Sequence, residues 1–162
     1  MIDSELMEAA RAALEANRPA GRQIAMAESC TGGLVAAALT AIPGASDLFD
    51  RGFVTYSNAA KVELLGVPEE VLARHGAVSE ETARAMALGA LARSSAGVAV
   101  AVTGVAGPGG GTPAKPVGLV AFARATVAAG QQVHTEVHRF GNLGRDAIRR
   151  QATLVALRLL RP

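Results

Sequence analysis

The chain has no tryptophan, one tyrosine, four phenylalanines, one cysteine and, among 16 basic residues, only two lysines. Each scarcity narrows the possibilities. A lone thiol, Cys30, cannot close an internal disulfide, so no stapled framework holds this chain together. A net charge of +2, with basic residues scattered and no aromatics between them, gives no stacking platform or basic stripe for nucleic acid. No apolar run approaches the ~18 residues that span a bilayer. The start, Met1-Ile2-Asp3-Ser4-Glu5, is acidic and lacks a basic-then-apolar export signal. The expectation is a soluble, cytoplasmic protein without nucleic-acid or membrane partners.

What is present is a chain of 162 residues, half of them apolar, enough to bury a real core. Because 14 of the 16 basic residues are arginine, Lys61 and Lys115 stand out. Arginine stays protonated, whereas a buried lysine can lose its proton and act as a base. The only tyrosine, Tyr56, lies five positions before Lys61.

Leu6, Ala9, Ala10, Ala13 and Leu14 recur at helical spacing behind Asp3, a plausible N-cap, and Arg18-Pro19-Ala20-Gly21 stops that helix. Ile24 to Ala27 suits a buried strand. A second helical run follows through Leu34, Ala37, Ala38 and Ala41 to Pro43-Gly44. Phe53 to Tyr56 reads as a strand, and Asn58 as the cap of a helix carrying Lys61, Val62 and Leu65 and closing at Gly66. Pro68 opens a short helix ending at Gly76. Ser79 caps a longer one with Ala83, Met86, Ala87, Ala90 and Leu91 as its core stripe. Val98 to Val102, apolar without alternation, suits a central strand covered on both faces. After the loop 104–116 come strands over Val117 to Val127 and Gln132 to Phe140, joined near Ala129-Gly130, and a closing helix from Arg145 to Leu160. Strands alternating with helices, plus one hairpin, predict an α/β fold: a three-layer α/β/α sandwich with a mixed sheet. Without repeats or a linker, residues 1–162 read as one domain.

Three segments depart from core-and-surface logic, each beyond the carboxyl end of a strand, where α/β sheets seat ligands. In Glu28-Ser29-Cys30-Thr31-Gly32-Gly33 a hydroxyl at a strand-to-helix turn lies near free helix N–H groups that can hold an anion or oxyanion. The competing reading is that Ser29 or Thr31 merely caps the helix. The Gly32-Gly33 pair, costing about 1 kcal/mol per glycine inside a helix, points to close approach by another group. In Tyr56-Ser57-Asn58-Ala59-Ala60-Lys61, a lysine one turn into a helix can reach back over the strand end, and Ser57 is a rival nucleophile; the ordinary alternative is a solvated lysine. The third segment, Thr103-Gly104 through Gly107, Pro108, Gly109, Gly110, Gly111, Thr112 and Lys115-Pro116, can bring backbone amides to a phosphate. It is neither a Walker loop nor a dinucleotide fingerprint; its prolines argue for a shaped loop over a mobile one. Cys30 has no histidine beside it and reads as a buried thiol. His134 and His138 share a strand face without further metal ligands nearby, and His75 suits a helix end. No metal or cofactor is called for.

Ala27-Glu28-Ser29-Cys30-Thr31-Gly32-Gly33, Val54-Thr55-Tyr56-Ser57-Asn58 with Lys61, His75-Gly76-Ala77-Val78-Ser79-Glu80, Ala101 to Thr112, and Lys115-Pro116-Val117-Gly118 resemble, in order along nearly the whole chain, the CinA C-terminal-domain family. This family, also called PncC, comprises the nicotinamide-nucleotide amidohydrolases. The resemblance implies an α/β/α fold, hydrolysis of nicotinamide mononucleotide to nicotinate mononucleotide and ammonia, and a homodimer. Many members carry a molybdopterin-binding-like domain, absent from this sequence, which suggests such a domain as a possible partner. Phe140-Gly141-Asn142-Leu143-Gly144-Arg145 holds one residue more than the family pattern, while Arg145, Ile148 and Arg149 are kept.

On that resemblance, Ser29 is expected as nucleophile, Lys61 as its base and Tyr56 as a residue tuning or relaying the proton. Burial and a neighbouring cation, for which Arg145 is a candidate, would bring Lys61 from ~10.4 to about 7–8. Amides around Gly32, Gly33 and Gly104 are expected to hold the oxyanion. Thr31, Thr103, Gly107, Gly109, Gly110, Thr112 and Lys115 are expected to contact substrate, and Arg145 or Arg149 its phosphate. The rival readings are a nucleotide-binding module without turnover, a partner-interaction domain, and an amidase for another carboxamide.

Overall fold

A computed structural model describes residues 2–162; Met1, where the acidic N-terminal reading begins, lies outside them. The elements run α1 (Ser4–Asn17), β1 (Ile24–Glu28), α2 (Leu34–Thr40), a 3-10 turn (Ala45–Asp47), β2 (Phe49–Val54), α3 (Asn58–Leu65), α4 (Glu69–His75), α5 (Glu80–Ala92), β3 (Val98–Gly104), β4 (Leu119–Thr126), β5 (Gln132–Arg139) and α6 (Arg145–Leu159). The sheet order is β2-β1-β3-β4-β5. β2, β1 and β3 are parallel, and β4 and β5 extend the sheet antiparallel. Helices α1, α2 and α6 cover one face and α5, backed by α3 and α4, the other, giving the mixed-sheet α/β sandwich. No helix among the described residues is long and apolar enough to cross a membrane.

The two faces differ in side-chain size. Ile24, Met26, Val98, Val100, Val102, Val120 and Phe122 point toward α1, α2 and α6. Ala25, Ala27, Ala99, Ala101, Ala121, Ala123 and Ala125 point toward α5. Val98 to Val102 is therefore apolar throughout but alternates strictly in bulk, a refinement of the reading of that strand. Adjacent residues of a strand face opposite sides, and an alanine face lets a helix lie close. α5 in turn draws in α3: a Cβ at Gly89 would overlap the carbonyl oxygen of Leu65. That tight crossing fixes the helix that carries Lys61.

The largest departures from the expected boundaries lie in β2 and at the start of α3. β2 spans Phe49–Val54, not Phe53 to Tyr56. It is an edge strand, so Asp50, Arg51 and Gly52 are tolerated along it and hide the strand pattern. The cap of α3 is Ser57, whose Oγ accepts from the Ala60 amide at 3.0 Å. Asn58 is instead the first helical residue.

Gly89→Ala is expected to lower stability by roughly 1–3 kcal/mol through forced overpacking, despite the ~1 kcal/mol alanine ordinarily gains in a helix. Urea unfolding measures this. A stabilised variant would show that α3 and α5 are not in close contact.

Candidate active site

Parallel β1 and β3 end side by side, and the chain leaving each carries the groups of interest. Ser29 follows β1, its amide donating to Val102 O at 2.9 Å. The turn beyond it is organised by Glu28, whose fully buried carboxylate accepts from the Thr31 hydroxyl (2.6 Å) and from the amides of Gly33 (3.0 Å), Val35 (3.1 Å) and Ala36 (2.9 Å). Glu28 thus satisfies the first turn of α2, and neither Ser29 nor Thr31 caps it. From the other side, the Arg149 guanidinium donates to the carbonyls of Cys30 (3.2 Å) and Thr31 (3.0 Å). The Ser29 turn is clamped between a carboxylate and a guanidinium.

Lys61 reaches this turn from α3. It is 1% exposed, and its Nζ lies 3.1 Å from Ser29 Oγ and 2.9 Å from the Thr55 carbonyl oxygen. Ser29 is itself only 8% exposed. Burial pushes the Lys61 pKa down, because a charged ammonium loses its hydration there. A charge on Cys30 would oppose that shift. Burial, however, pushes the Cys30 thiol up to about 12, and it stays neutral at physiological pH. Protonated, the amine donates to both oxygens; deprotonated, it can donate to Thr55 O and turn its lone pair toward the Ser29 hydroxyl. Arg145 is not among the causes of the lysine shift; burial acts alone.

A cleft of about 300 Å³ opens over this pair. Of the residues singled out in the sequence, Ser29, Tyr56, Lys61, Thr103, Gly104, Gly107, Gly109, Gly110 and Arg145 line it. Arg145, at the start of α6, donates to Gly107 O at 2.8 Å and to Tyr56 Oη at 2.6 Å, so the extra residue before it has not displaced it. Tyr56, 59% exposed, forms the outer wall with Arg145. Its hydroxyl bonds to Arg145 and not to Lys61, whose partner from that segment is the Thr55 carbonyl; the expected proton relay has no hydrogen bond to run through. The Thr103 hydroxyl donates to Ala77 O at 2.7 Å and fixes the segment between α4 and α5 against the cleft.

Other expected site residues do not line the cleft. Thr31 is buried and bonded to Glu28, and Gly32 and Gly33 do not line the cleft. The Gly32 amide donates to Ser29 O and that of Gly33 to Glu28, so neither is free for an oxyanion. The amides of Cys30 and Thr31 have no acceptor among the described residues. Thr112 and Lys115 close their own turn, Lys115 N donating to Thr112 Oγ1 at 3.0 Å. The Lys115 ammonium binds His75 O at the C-terminus of α4, away from the cleft; a helix's negative end holds it there. Arg149 is committed to the Ser29 turn. Ser57 is committed as a cap. His134 and His138 both bond to Glu136, at 3.1 and 2.8 Å.

Sequence reasoning missed Asn58, Cys30, Ala77, Val78, Val105 and Ala106, which also line the cleft. Assigning the cap to Ser57 would have released Asn58. The 75–79 segment had only its place in the family pattern to mark it.

A family model described as the CinA C-terminal domain matches residues 6–162. The nicotinamide-nucleotide amidohydrolase PncC of Escherichia coli K12 is 51% identical over 99% of this chain and 95% of its own. A competence-damage inducible protein of Symbiobacterium thermophilum is 53% identical over 98% of this chain, which spans only 38% of that longer protein. Among solved structures, the competence/damage inducible protein CihA of Agrobacterium tumefaciens superposes with a TM-score of 0.94 at 49% identity, covering 99% of this chain and 96% of CihA.

Glu28→Gln turns an amide donor toward the backbone donors of α2 and is expected to cost roughly 1–3 kcal/mol of stability, read by denaturant titration. Cys30, protonated and buried, is expected to resist iodoacetamide at pH 8 in the folded protein and to react after unfolding. Rapid native alkylation would contradict the burial described.

Proposed function

This chain belongs to the CinA C-terminal domain family, and on that premise we propose that it hydrolyses the carboxamide of nicotinamide mononucleotide to nicotinate mononucleotide and ammonia. The observation that carries the reading is the buried contact of Lys61 Nζ with Ser29 Oγ at 3.1 Å. Neutral Lys61 takes the Ser29 proton as Oγ attacks the carboxamide carbon. The oxyanion so formed is met by the amide of Cys30, which lines the cleft and has no acceptor among the described residues; such a donor is typically worth ~3 kcal/mol. Collapse of the tetrahedral adduct breaks the C–N bond, and Lys61 returns the proton to the departing ammonia. Water, deprotonated by the same amine, then cleaves the acyl ester and frees Ser29.

The cleft's mouth suits the rest of the nucleotide. Arg145 and the loop residues Gly107, Gly109 and Gly110 offer a cation and backbone to the phosphate, and Tyr56 an aromatic wall to the ring. Thr103 and Gly104 shape the floor. At Gly104 a Cβ would lie 2.7 Å from Val120 Cγ2, so any side chain there would disturb the strand end beside the nucleophile. Residues 1–162 act in this proposal as a single amidohydrolase domain, cytoplasmic and homodimeric, able to associate with a separate molybdopterin-binding-like domain.

Ser29→Ala is expected to abolish ammonia release from nicotinamide mononucleotide while the nucleotide still binds by calorimetry. Lys61→Arg should lose at least about a thousandfold in kcat, since arginine cannot give up its proton. Saturable binding by the wild type without ammonia would instead favour a sensing module, and ammonia from glutamine or nicotinamide alone an amidase of another class. Because protonated Lys61 cannot accept a proton, kcat/KM should rise with pH along a limb whose apparent pKa lies below the ordinary ~10.4 of lysine. A rate that falls over the same range would remove Lys61 from the base role.

A further inference from the structure

On β4 the face that carries Val120 and Phe122 continues to Arg124, a half-buried guanidinium toward the strand end remote from the cleft. Its Nε is buried and has no acceptor among the described residues. Burial and the neighbouring Arg22 charge both lower its pKa, the signature of a cation lacking its counter-charge. Arg124 lines a concavity of about 380 Å³ together with His134, Glu136, Arg158 and Arg161.

The one carboxylate side chain there is already engaged. Glu136 accepts from His138 at 2.8 Å, Arg158 at 2.6 Å and His134 at 3.1 Å. Against the upward push of its burial, these bonds hold its pKa at about 2. Arg22 is bonded to the neutral oxygen of Asn17 at 2.6 Å. Of the charged side chains lining the concavity, Arg124, Arg158 and Arg161 outnumber the single carboxylate of Glu136 by two, and the neighbouring Arg22 adds further positive charge beside Arg124.

We propose that this concavity is a second ligand site, taking a doubly charged tetrahedral oxyanion: free phosphate or the phosphomonoester group of a small metabolite. Guanidiniums contributed by β4, by α6 and by the segment after it line the one concavity, and a tetrahedral oxyanion with several acceptors can take hydrogen bonds from more than one of them. The ligand would supply the missing acceptors of Arg124. The site does not depend on the nucleotide chemistry at Ser29, and it is separate from the Arg145 cleft.

The test is thermal unfolding with inorganic phosphate or ribose 5-phosphate, against sodium chloride at matched ionic strength. Wild type and Arg145→Gln are expected to be stabilised by phosphate beyond chloride, Arg124→Gln by clearly less than wild type, and the double variant Arg124→Gln/Arg145→Gln not at all. Without phosphate, Arg124→Gln should be at least as stable as wild type, because it removes an uncompensated charge. Arg161→Gln, at an exposed position, should raise the half-saturating concentration at least about tenfold and decides the matter if Arg124→Gln does not fold. The ligand that half-saturates lower identifies the source of the oxyanion. No phosphate-specific shift, an undiminished shift in Arg124→Gln, or a shift lost only in Arg145→Gln would each overturn the proposal.

Discussion

An amine that has lost its water and met a single hydroxyl is the constraint around which this molecule is organised. Lys61 is among the largest side chains that the fold buries completely. Burying an ammonium costs several kcal/mol unless it is paired, and no carboxylate forms an ion pair with this one among the described residues. Its polar partners are the Ser29 hydroxyl and the Thr55 carbonyl oxygen. The same dehydration that makes the protonated form expensive makes the neutral amine a usable base, so the cost of burial and the proposed chemistry have one origin.

Keeping two side chains from segments 32 positions apart within 3.1 Å requires that neither backbone can drift. The Ser29 turn is held by the Glu28 carboxylate below it and the Arg149 guanidinium across it. The Lys61 helix is held by its close crossing with α5 at Gly89, and α5 by the alanine face of the sheet. The Ser29–Lys61 contact is thus preorganised by the elements packed around it. Arg145 ties the outer wall to the same frame, linking the start of α6 to Tyr56 and Gly107.

Much of this was legible in the residues. Helix periodicity, the Asp3 and Ser79 caps and the glycine stops located the helices. The sandwich and its mixed sheet followed from their alternation with strands, and scarcity pointed to Lys61 and Tyr56. Three things were not legible. The edge strand β2 carries Asp50-Arg51-Gly52 in its middle, so no apolar pattern announces it. Glu28 looks like one more acidic residue until the fold buries it under α2. Which amides of the Ser29 turn are free depends on how that turn closes in the fold: Gly32 donates to Ser29 O and Gly33 to the Glu28 carboxylate, whereas the Cys30 amide finds no acceptor among the described residues. Spacing reports what a residue is able to do, and only three-dimensional neighbours decide which of its groups are left over to do it.

With just two lysines in the chain, the central claim is open to direct observation. NMR of protein carrying ¹³C at lysine Cε, with Lys115→Arg used to assign the two signals, follows the charge on Lys61 as pH is raised. The account predicts that the Lys61 signal titrates well below the ~10.4 of an ordinary lysine and that replacing Ser29 with alanine perturbs it. Titration at or above that value would mean a permanently charged ammonium beside Ser29, and a serine without its base.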